Sequence, residues 1–89
     1  MRRIRPISHS TVPICGVYAI LGPEGVYVGE STDCWNRGTL DLAVRLGLEC
    51  GIVRELSNST QGERFRVETE VARLFRARGF PIVSFYAKR

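Results

Sequence analysis

The stretch that decides the fold is residues 15–30, CGVYAILGPEGVYVGE. Two runs of β-branched, aliphatic and aromatic residues flank residues 22–25, GPEG, where proline presets φ and the glycines tolerate a positive φ. Apolar runs joined by such a turn predict a β-hairpin. We expect its first strand over residues 13–21 and its second over residues 25–30.

Each arm of this hairpin carries one tyrosine, Tyr18 in the first arm and Tyr27 in the second. With the turn centred on residues 23–24, Tyr18 lies opposite Gly29, and Ile20 lies opposite Tyr27. Because side chains alternate with period two, this register places both tyrosines on one face of the hairpin, whereas an odd loop or a bulge would separate them. A tyrosine pair of this kind is most often half-buried packing, so the pair alone does not indicate a function.

A polar segment follows the second tyrosine and adds a set of ordered positions. The set consists of the triplets GVY at 16–18 and YVG at 27–29, followed by Ser31, Asp33 and Arg37. It resembles the GIY-YIG nuclease family, whose members place an arginine eight positions after the last glycine of the second triplet, which is the spacing from Gly29 to Arg37. The chain is also about the size of the family's whole domain.

The resemblance implies a fold and an activity. The fold is a small α/β domain with a three-stranded, mainly antiparallel sheet flanked by helices. The activity is a metal-dependent endonuclease, in which Tyr18 and Tyr27 activate the nucleophile and Arg37 binds the phosphate. Phosphodiester hydrolysis needs a water nucleophile and charge stabilisation, and it usually uses a divalent metal. One carboxylate together with the substrate phosphate can hold Mg²⁺, the expected cofactor, or Mn²⁺ in its place.

Two glutamates on the predicted long helix compete for the role of metal ligand. Family members have apolar residues just before this glutamate and three, four and seven positions after it. Glu68 has Val67, Val71, Ala72 and Phe75 at those offsets. Glu70 matches less well, because Arg73 stands three positions after it. We therefore expect Glu68 to be the metal ligand, and Glu70 to face solvent near Arg66 or Arg73.

Three positions depart from the family pattern. Glu30 stands where a basic residue is common, Asp41 where a tyrosine or histidine is common, and Ser84 where an asparagine is usual. These substitutions leave open an alternative in which the chain is a catalytically degenerate nucleic-acid-binding module. A further alternative is a protein-interaction domain in which the tyrosine hairpin only contributes to the core.

Length and composition indicate one small folded domain. The chain has 89 residues, of which 44% are hydrophobic and 25% charged, and these values argue against wholesale disorder. We divide it into a basic N-terminal arm over residues 1–11 and a single nuclease-like domain over residues 12–89. The longest apolar run, residues 14–21, is too short to cross a bilayer as a helix, so we expect no membrane partner.

The net charge of +4 is spread unevenly along the chain. Residues 1–8 carry +3, residues 9–62 carry −3 and residues 63–89 carry +4. Basic ends around a mildly acidic middle suit a polyanionic partner, which we expect to be DNA. The helix arginines expected to contact the nucleic-acid backbone are Arg64, Arg66, Arg73, Arg76 and Arg78. They cannot all face one way, because a helix turns about 100° per residue. A domain this small has little surface for specificity, so we expect it to depend on a homodimer, a partner protein or an unusual DNA structure.

The cysteines point to a reducing compartment. Cys15, Cys34 and Cys50 are an odd number without close pairing spacing, which fits reduced thiols in a cytoplasmic protein. A zinc site is not expected, because the only histidine, His9, lies in the polar arm.

The remaining elements follow from cap and turn residues. We expect a helix to begin at residues 31–33, a third strand over residues 50–56, and an extended segment over residues 81–86. The sequence TQGE at residues 60–63 matches a capping box and starts the longest helix, which Gly79 ends. The expected apolar stripe of that helix consists of Phe65, Val67, Val71, Leu74 and Phe75.

Overall fold

The computed structural model describes residues 13–36 and 39–83. The strands and helices of this part are β1 (Gly16–Gly22), β2 (Gly25–Ser31), α1 (Leu40–Arg45), β3 (Glu49–Glu55) and α2 (Gln61–Ala77). Strand β1 lies in the middle of the sheet, in the order β2-β1-β3, and pairs antiparallel with both neighbours. The predicted α/β domain with a three-stranded antiparallel sheet and flanking helices is confirmed.

The two faces of the sheet carry separate hydrophobic clusters, because side chains alternate along β1. The aliphatic cluster consists of Val17, Ala19, Val26, Val28 and Val71. The tyrosine cluster consists of Tyr18, Ile20, Cys34, Leu40 and Ala43. Helix α2 therefore covers one face, and α1 covers the other.

Helix α2 begins and ends where the sequence predicts. The Thr60 hydroxyl accepts a hydrogen bond from the backbone N–H of Glu63, whose carboxylate accepts one from the backbone N–H of Thr60. Gly79 has a φ of 93°, which glycine adopts without strain, and the N–H of Phe80 then donates to the carbonyl of Phe75. The capping box and the glycine stop are confirmed.

The predicted apolar stripe of α2 is wrong at two positions. Val67, Val71 and Phe75 pack with the aliphatic cluster, but Phe65 and Leu74 are exposed, at 50% and 37% of their surface. The physical reason for Phe65 is that its neighbour Arg64 takes the inward position. Adjacent residues on a helix do not share a face, so Phe65 is left in solvent.

The helix predicted to begin at residues 31–33 is also not found there. Residues 32–36 form bends and turns, and the first α-helix of the described part begins at Leu40. The hydroxyl of Ser31 accepts from the N–H of Asp33, and the carboxylate of Asp33 accepts from the N–H of Asn36. Short polar side chains that bond the nearby backbone compete with helix formation, which accounts for the difference.

The chain after α2 returns to the outer edge of β2. The N–H of Val26 donates to the carbonyl of Pro81 over 2.8 Å, and the N–H of Val83 donates to the carbonyl of Val26 over 2.9 Å. A parallel bridge between Val26 and Ile82 results. The predicted extended segment is supported for residues 81–83, and its remainder, together with the N-terminal arm, lies outside the described residues.

The cysteines are free thiols, and their burial differs. Cys34 is fully buried, while Cys15 and Cys50 are half-buried. Burial raises the pKa of the Cys34 thiol to about 11, so this group stays protonated at neutral pH. Among the helices of the described ranges, none has both the length and the apolar character needed to cross a membrane.

Candidate functional site

The hairpin brings the two tyrosines together on one face of the sheet. Tyr18 pairs with Gly29, Ile20 pairs with Tyr27, and Gly22 pairs with Gly25, which is the predicted register. The ring centroids of Tyr18 and Tyr27 lie 6.1 Å apart with a tilt of 46° between the planes. This geometry is within the range of favourable aromatic pairs, and the predicted shared face is confirmed.

The glycine of the second triplet gives the first tyrosine its space. A Cβ on Gly29 would lie 2.6 Å from the hydroxyl oxygen and the adjoining ring carbon of Tyr18, well inside van der Waals contact. The Tyr18 ring therefore lies across the backbone of β2 at this glycine. The sequence pattern thus has a steric reason: the tyrosine of one triplet requires the glycine of the other.

The glycine of the first triplet has a different neighbour. A Cβ on Gly16 would lie 2.0 Å from the carbonyl oxygen of Arg54 on β3. The pairing of β1 with β3 shifts between Val17 and Tyr18, as in a β-bulge, and brings the β3 backbone over Gly16. No side chain can be accommodated there unless the backbone of β3 moves.

Tyr18 is sealed in the core and its hydroxyl is engaged. The side chain is only 3% exposed. Its hydroxyl oxygen accepts from the backbone N–H of Thr39 over 3.3 Å and from the Thr39 hydroxyl over 3.2 Å. Tyr27, in contrast, is half-buried and packs against the edge of the tyrosine cluster. The described geometry therefore gives Tyr18 a structural role, and Tyr27 is the less buried of the two tyrosines.

Glu68 lies where the apolar pattern places it. It is half-buried on α2, next to Val67 and one turn from Val71 and Ala72, which pack in or against the aliphatic cluster. Burial, and then the negative charge of Glu30, raise the pKa of Glu68. Glu70 faces solvent and pairs with Arg73, as predicted.

The tyrosines and Glu68 lie on opposite faces of the sheet. Tyr18 and Tyr27 are on the α1 face, while Glu68 belongs to α2, which packs on the other face. The two faces meet at the outer edges of the sheet, and the strand that carries Tyr27, β2, forms one of these edges. A site that uses both Tyr27 and Glu68 must therefore straddle this edge.

Arg64 is not a surface cation, which corrects its assignment to nucleic-acid contact. It is only 5% exposed, and its Nε donates to the carboxylate of Glu30 over 2.7 Å. Another guanidinium nitrogen donates to the backbone carbonyl and the hydroxyl of Ser59, over 2.6 and 3.2 Å, and approaches the Cys15 sulfur at 3.4 Å. The hydrogen bond to Glu30 raises the pKa of Arg64 further. A guanidinium held by these groups inside the protein cannot reach a phosphate outside it.

The ion pair with Arg64 shows on which face of the sheet the Glu30 side chain lies. Its side chain lies on the α2 face, away from the tyrosines, and Arg64 compensates its charge. The sequence offered no local signal for this pair, because Glu30 and Arg64 stand 34 residues apart on different elements. The Thr39 contact to Tyr18 was missed for a similar reason, since hydroxyl partners leave no periodic pattern.

The other predicted arginines of α2 are exposed. Arg66, Arg73, Arg76 and Arg78 all face solvent. Arg66 and Arg73 stand two helical turns apart and share a side of the helix, Arg76 is a neighbour of Arg73 three residues on, and Arg78 faces another side. The exposed set is compatible with a polyanion but covers more than one side of α2. Arg37 and Ser84 lie outside the described residues.

The donor set for a divalent cation is small. In residues 13–36 and 39–83, no group of three or more histidine, cysteine, aspartate or glutamate side chains could hold a metal ion. Glu68 nevertheless forms no ion pair with a basic side chain of these ranges. A half-buried carboxylate without a cationic partner fits Mg²⁺, which keeps several waters and needs few protein ligands.

Comparison with known proteins adds no relative. None of the family models, curated proteins or solved structures that we compared with the chain matches it.

Proposed function

We propose that this chain is a metal-dependent endonuclease of the GIY-YIG type that hydrolyses nucleic-acid phosphodiester bonds, with DNA as the expected substrate. The observation that carries the proposal is the tyrosine pair. Tyr18 and Tyr27 meet on one face in the register that the turn at residues 22–25 predicts, and Gly29 is the residue that makes room for the Tyr18 ring.

We assign different roles to Tyr18 and Tyr27 because their burial differs. The Tyr27 oxygen is assigned to orient the attacking water, because this ring reaches solvent. Tyr18 is a positioning residue, whose hydroxyl fixes Thr39 at the start of α1. Thr39 follows Arg37 by two positions in the sequence, so this bond anchors the segment next to the guanidinium assigned to the phosphate.

The outer edge of β2 is the place where these groups can act together. Backbone groups alternate along a strand, so those of Val28 and Glu30 point to the same edge as those of Val26. Val26 is bonded to Pro81 and Val83, and these are the hydrogen bonds that the described residues place on this edge. Within residues 13–36 and 39–83, no further backbone hydrogen bond reaches this edge of β2, and we assign the next N–H groups along it to a phosphate oxygen between Tyr27 and α2.

Glu68 is the residue that would hold Mg²⁺ or Mn²⁺. When bound, the metal supplies Lewis-acid stabilisation of the phosphate. Glu30 lies nearby but is neutralised by Arg64, so it adds little negative charge to the phosphate site. In the reaction, a water molecule held by a hydrogen bond to the Tyr27 hydroxyl forms a bond from its oxygen to phosphorus and loses a proton to solvent. The opposite P–O bond breaks, and the leaving oxygen takes a proton from solvent to become the free hydroxyl end.

A plasmid-nicking assay with Mg²⁺ or Mn²⁺ tests this proposal. The wild-type chain is expected to convert supercoiled DNA to the open-circle form, and Arg37→Ala and Glu68→Ala are expected to lose at least about a hundredfold in rate. Glu70→Ala is the matched control, because Glu70 lies on the same helix but faces solvent, and it should keep near wild-type activity. Nicking that survives both Arg37→Ala and Glu68→Ala would exclude the proposed site.

A second candidate is a nucleic-acid-binding module that has lost turnover. It is favoured by the burial of Tyr18, whose hydroxyl is already bonded to Thr39, and by the pairing of Asp41 with Arg45 at a position where the family has an aromatic or histidine. Such a module would bind DNA with an affinity that falls steeply with salt and would not nick it. The absence of both binding and nicking would favour the third alternative, a protein-interaction domain.

A further inference from the structure

The side of the domain away from the tyrosines carries a groove between β3 and α2. We call it the edge groove; its lining residues are Val53, Arg54, Val71, Leu74, Phe75 and Arg78. Its floor is aliphatic and aromatic, and a guanidinium stands on each wall, Arg54 on the strand and Arg78 on the helix. The groove has a volume of about 210 Å³ and opens beside β3, the second edge strand of the sheet.

The strand wall of the groove depends on the bulge in β3. Val17 pairs with Arg54, but the next residue of β1, Tyr18, pairs with Ile52, so Val53 is the extra residue. Val53 packs against the aliphatic cluster, and Arg54 lines the same groove beside it. A regular strand would send these neighbours to opposite faces. The bulge therefore turns an arginine towards α2, and Gly16 is the residue that permits it.

Neither of the two guanidinium groups forms an ion pair with a carboxylate of residues 13–36 or 39–83. In the described part of the chain, arginines form ion pairs that join Arg45 to Asp41, Arg64 to Glu30, and Arg73 to Glu70. Arg54 and Arg78 take part in none of these pairs. Each donates instead to a backbone carbonyl, Arg54 to that of Val53 over 2.9 Å and Arg78 to that of Leu74 over 3.5 Å. The walls of an apolar groove thus keep two positive charges for an outside partner.

The size of the groove narrows the class of partner. Small-molecule sites usually enclose about 300–1,000 Å³, and the edge groove is smaller than that range. It is about the size of one large apolar side chain. A nucleic-acid backbone would leave the apolar floor unused, whereas a peptide that inserts one anchor residue uses the floor and both walls.

We propose that the edge groove binds an acidic peptide segment, which inserts one aromatic or aliphatic side chain between Val53 and Leu74 and pairs its carboxylates with Arg54 and Arg78. No strand of the described residues pairs with the outer edge of β3, which can add main-chain hydrogen bonds to such an extended segment. Residues 1–8 and 84–89 do not fit this description, because they contain basic side chains and no acidic ones. The site lies apart from the outer edge of β2, so the proposal holds whether or not the chain hydrolyses DNA.

Fluorescence polarisation with the full chain and a fluorescein-labelled peptide, EVEFEVE, tests the proposal. We expect saturable binding, which is lost with EVEGEVE, where the anchor is missing, and with KVKFKVK, where the charge is reversed. Arg54→Ala and Arg78→Ala should each weaken binding by about threefold or more. Arg76→Ala, exposed two residues before Arg78 and so on another side of the helix, should change it by less than about twofold. Leu74→Gln should weaken it by about tenfold, and Phe65→Gln on the same helix should not.

Chemical-shift mapping on the unmutated chain guards against variants that fail to fold. The largest shifts on titration with EVEFEVE should fall on the amides of Val53, Arg54 and Leu74. Three results would overturn the proposal: no saturable binding, binding that Arg54→Ala and Arg78→Ala leave unchanged, or equal binding of KVKFKVK. Self-association in sedimentation velocity that Leu74→Gln abolishes, without peptide binding, would also overturn it, because it would assign the groove to a second copy of the chain.

Discussion

The two faces of the sheet differ in side-chain type and in how far apart in the sequence their contacting residues lie. The α1 face carries an aromatic contact between residues that are close in the sequence. Tyr18 and Tyr27 come from one hairpin, and its register brings them together. The α2 face is aliphatic with one buried ion pair, in which Glu30 on β2 meets Arg64 on α2. The hairpin alone therefore sets the geometry of the face with the two tyrosines. The face that carries Glu68 depends on an ion pair between residues far apart in the sequence.

The difference has a consequence for the proposed catalytic groups. Tyr27 and Glu68 can cooperate only if both faces are held at a constant distance across the edge of β2. Strand β2 itself provides the connection, because Glu30 bonds to α2 three residues after Tyr27 contributes to the tyrosine face. The ion pair therefore supports the site although it touches no substrate.

Arg64→Ala should have the largest effect on stability. Removing the guanidinium leaves the buried carboxylate of Glu30 without its partner, and breaking a buried pair on one side costs about 3–5 kcal/mol in free energy of unfolding. Urea denaturation measures this loss. Arg66→Ala, exposed on the same helix, should stay within about 0.5 kcal/mol of wild type. A loss below about 1 kcal/mol for Arg64→Ala would mean that the pair is not what holds the α2 face.

Gly16→Ala should be the next most costly change. The added Cβ would meet a backbone carbonyl of β3 at 2.0 Å, and a backbone atom cannot rotate away as a side chain does. We expect a loss of about 3 kcal/mol, at the upper end for overpacking. Gly51→Ala on β3 is the matched control, because nothing lies within 4 Å of its added Cβ, and it should cost little. Equal melting temperatures for the two variants would contradict the bulge geometry.

Tyr18→Phe should cost less, because it removes one acceptor and keeps the ring. The N–H and hydroxyl of Thr39 would lose their shared partner in a buried site, at about 1–2 kcal/mol. A double-mutant cycle with Thr39→Val separates this bond from other effects. The two changes should be clearly non-additive, and strict additivity in the free energy of unfolding would show that the two hydroxyls do not interact.

Glu68→Gln should have the smallest effect, and its sign depends on pH. Since burial and Glu30 raise the pKa of Glu68, the folded chain binds that proton more tightly than the unfolded chain does. The contribution of Glu68 to the free energy of unfolding is therefore fully present below the pKa that this carboxyl has in the unfolded chain. It is lost as the pH rises through the pKa that the carboxyl has in the folded chain. Glu68→Gln should melt higher than wild type at neutral pH and equal to it in acid.

The control for this pH series is Glu70→Gln, because Glu70 is exposed and pairs with Arg73. It should not show the same gain at neutral pH. Adding Mg²⁺ should raise the melting temperature of wild type more than that of Glu68→Gln, since a ligand that binds only the folded chain stabilises it. A Glu68→Gln variant that is less stable than wild type at neutral pH without metal would contradict the assigned environment.

The parts of the fold that sequence could predict are those set by local chemistry. The turn at residues 22–25 fixed the register of Tyr18 and Tyr27, and the capping box at Thr60 and the stop at Gly79 bounded α2. Each of these signals lies within a few residues of its effect. The position of Glu68 beside the apolar stripe followed from helical periodicity in the same way.

The parts that could not be predicted depend on distant partners. Arg64 looks like any basic residue of an exposed helix face, and only the folded chain brings Glu30, Ser59 and Cys15 around it. The bulge of β3 over Gly16 likewise requires the pairing of strands far apart in sequence. At residues 31–33, side chains that often cap helices accept hydrogen bonds from the backbone of a turn instead. Such local hydrogen bonds compete with helix formation, and the sequence does not show which one forms.

The most direct test of the central claim is a titration of the ¹⁵N-labelled chain with paramagnetic Mn²⁺. We expect the amide signals of Tyr27, Glu30 and Glu68 to broaden first, because the proposed cation site lies at the outer edge of β2. The amide signal of Gly51, on the opposite edge strand β3, should persist. First broadening around Asp41 or Glu55, with Tyr27 and Glu68 unaffected, would contradict it.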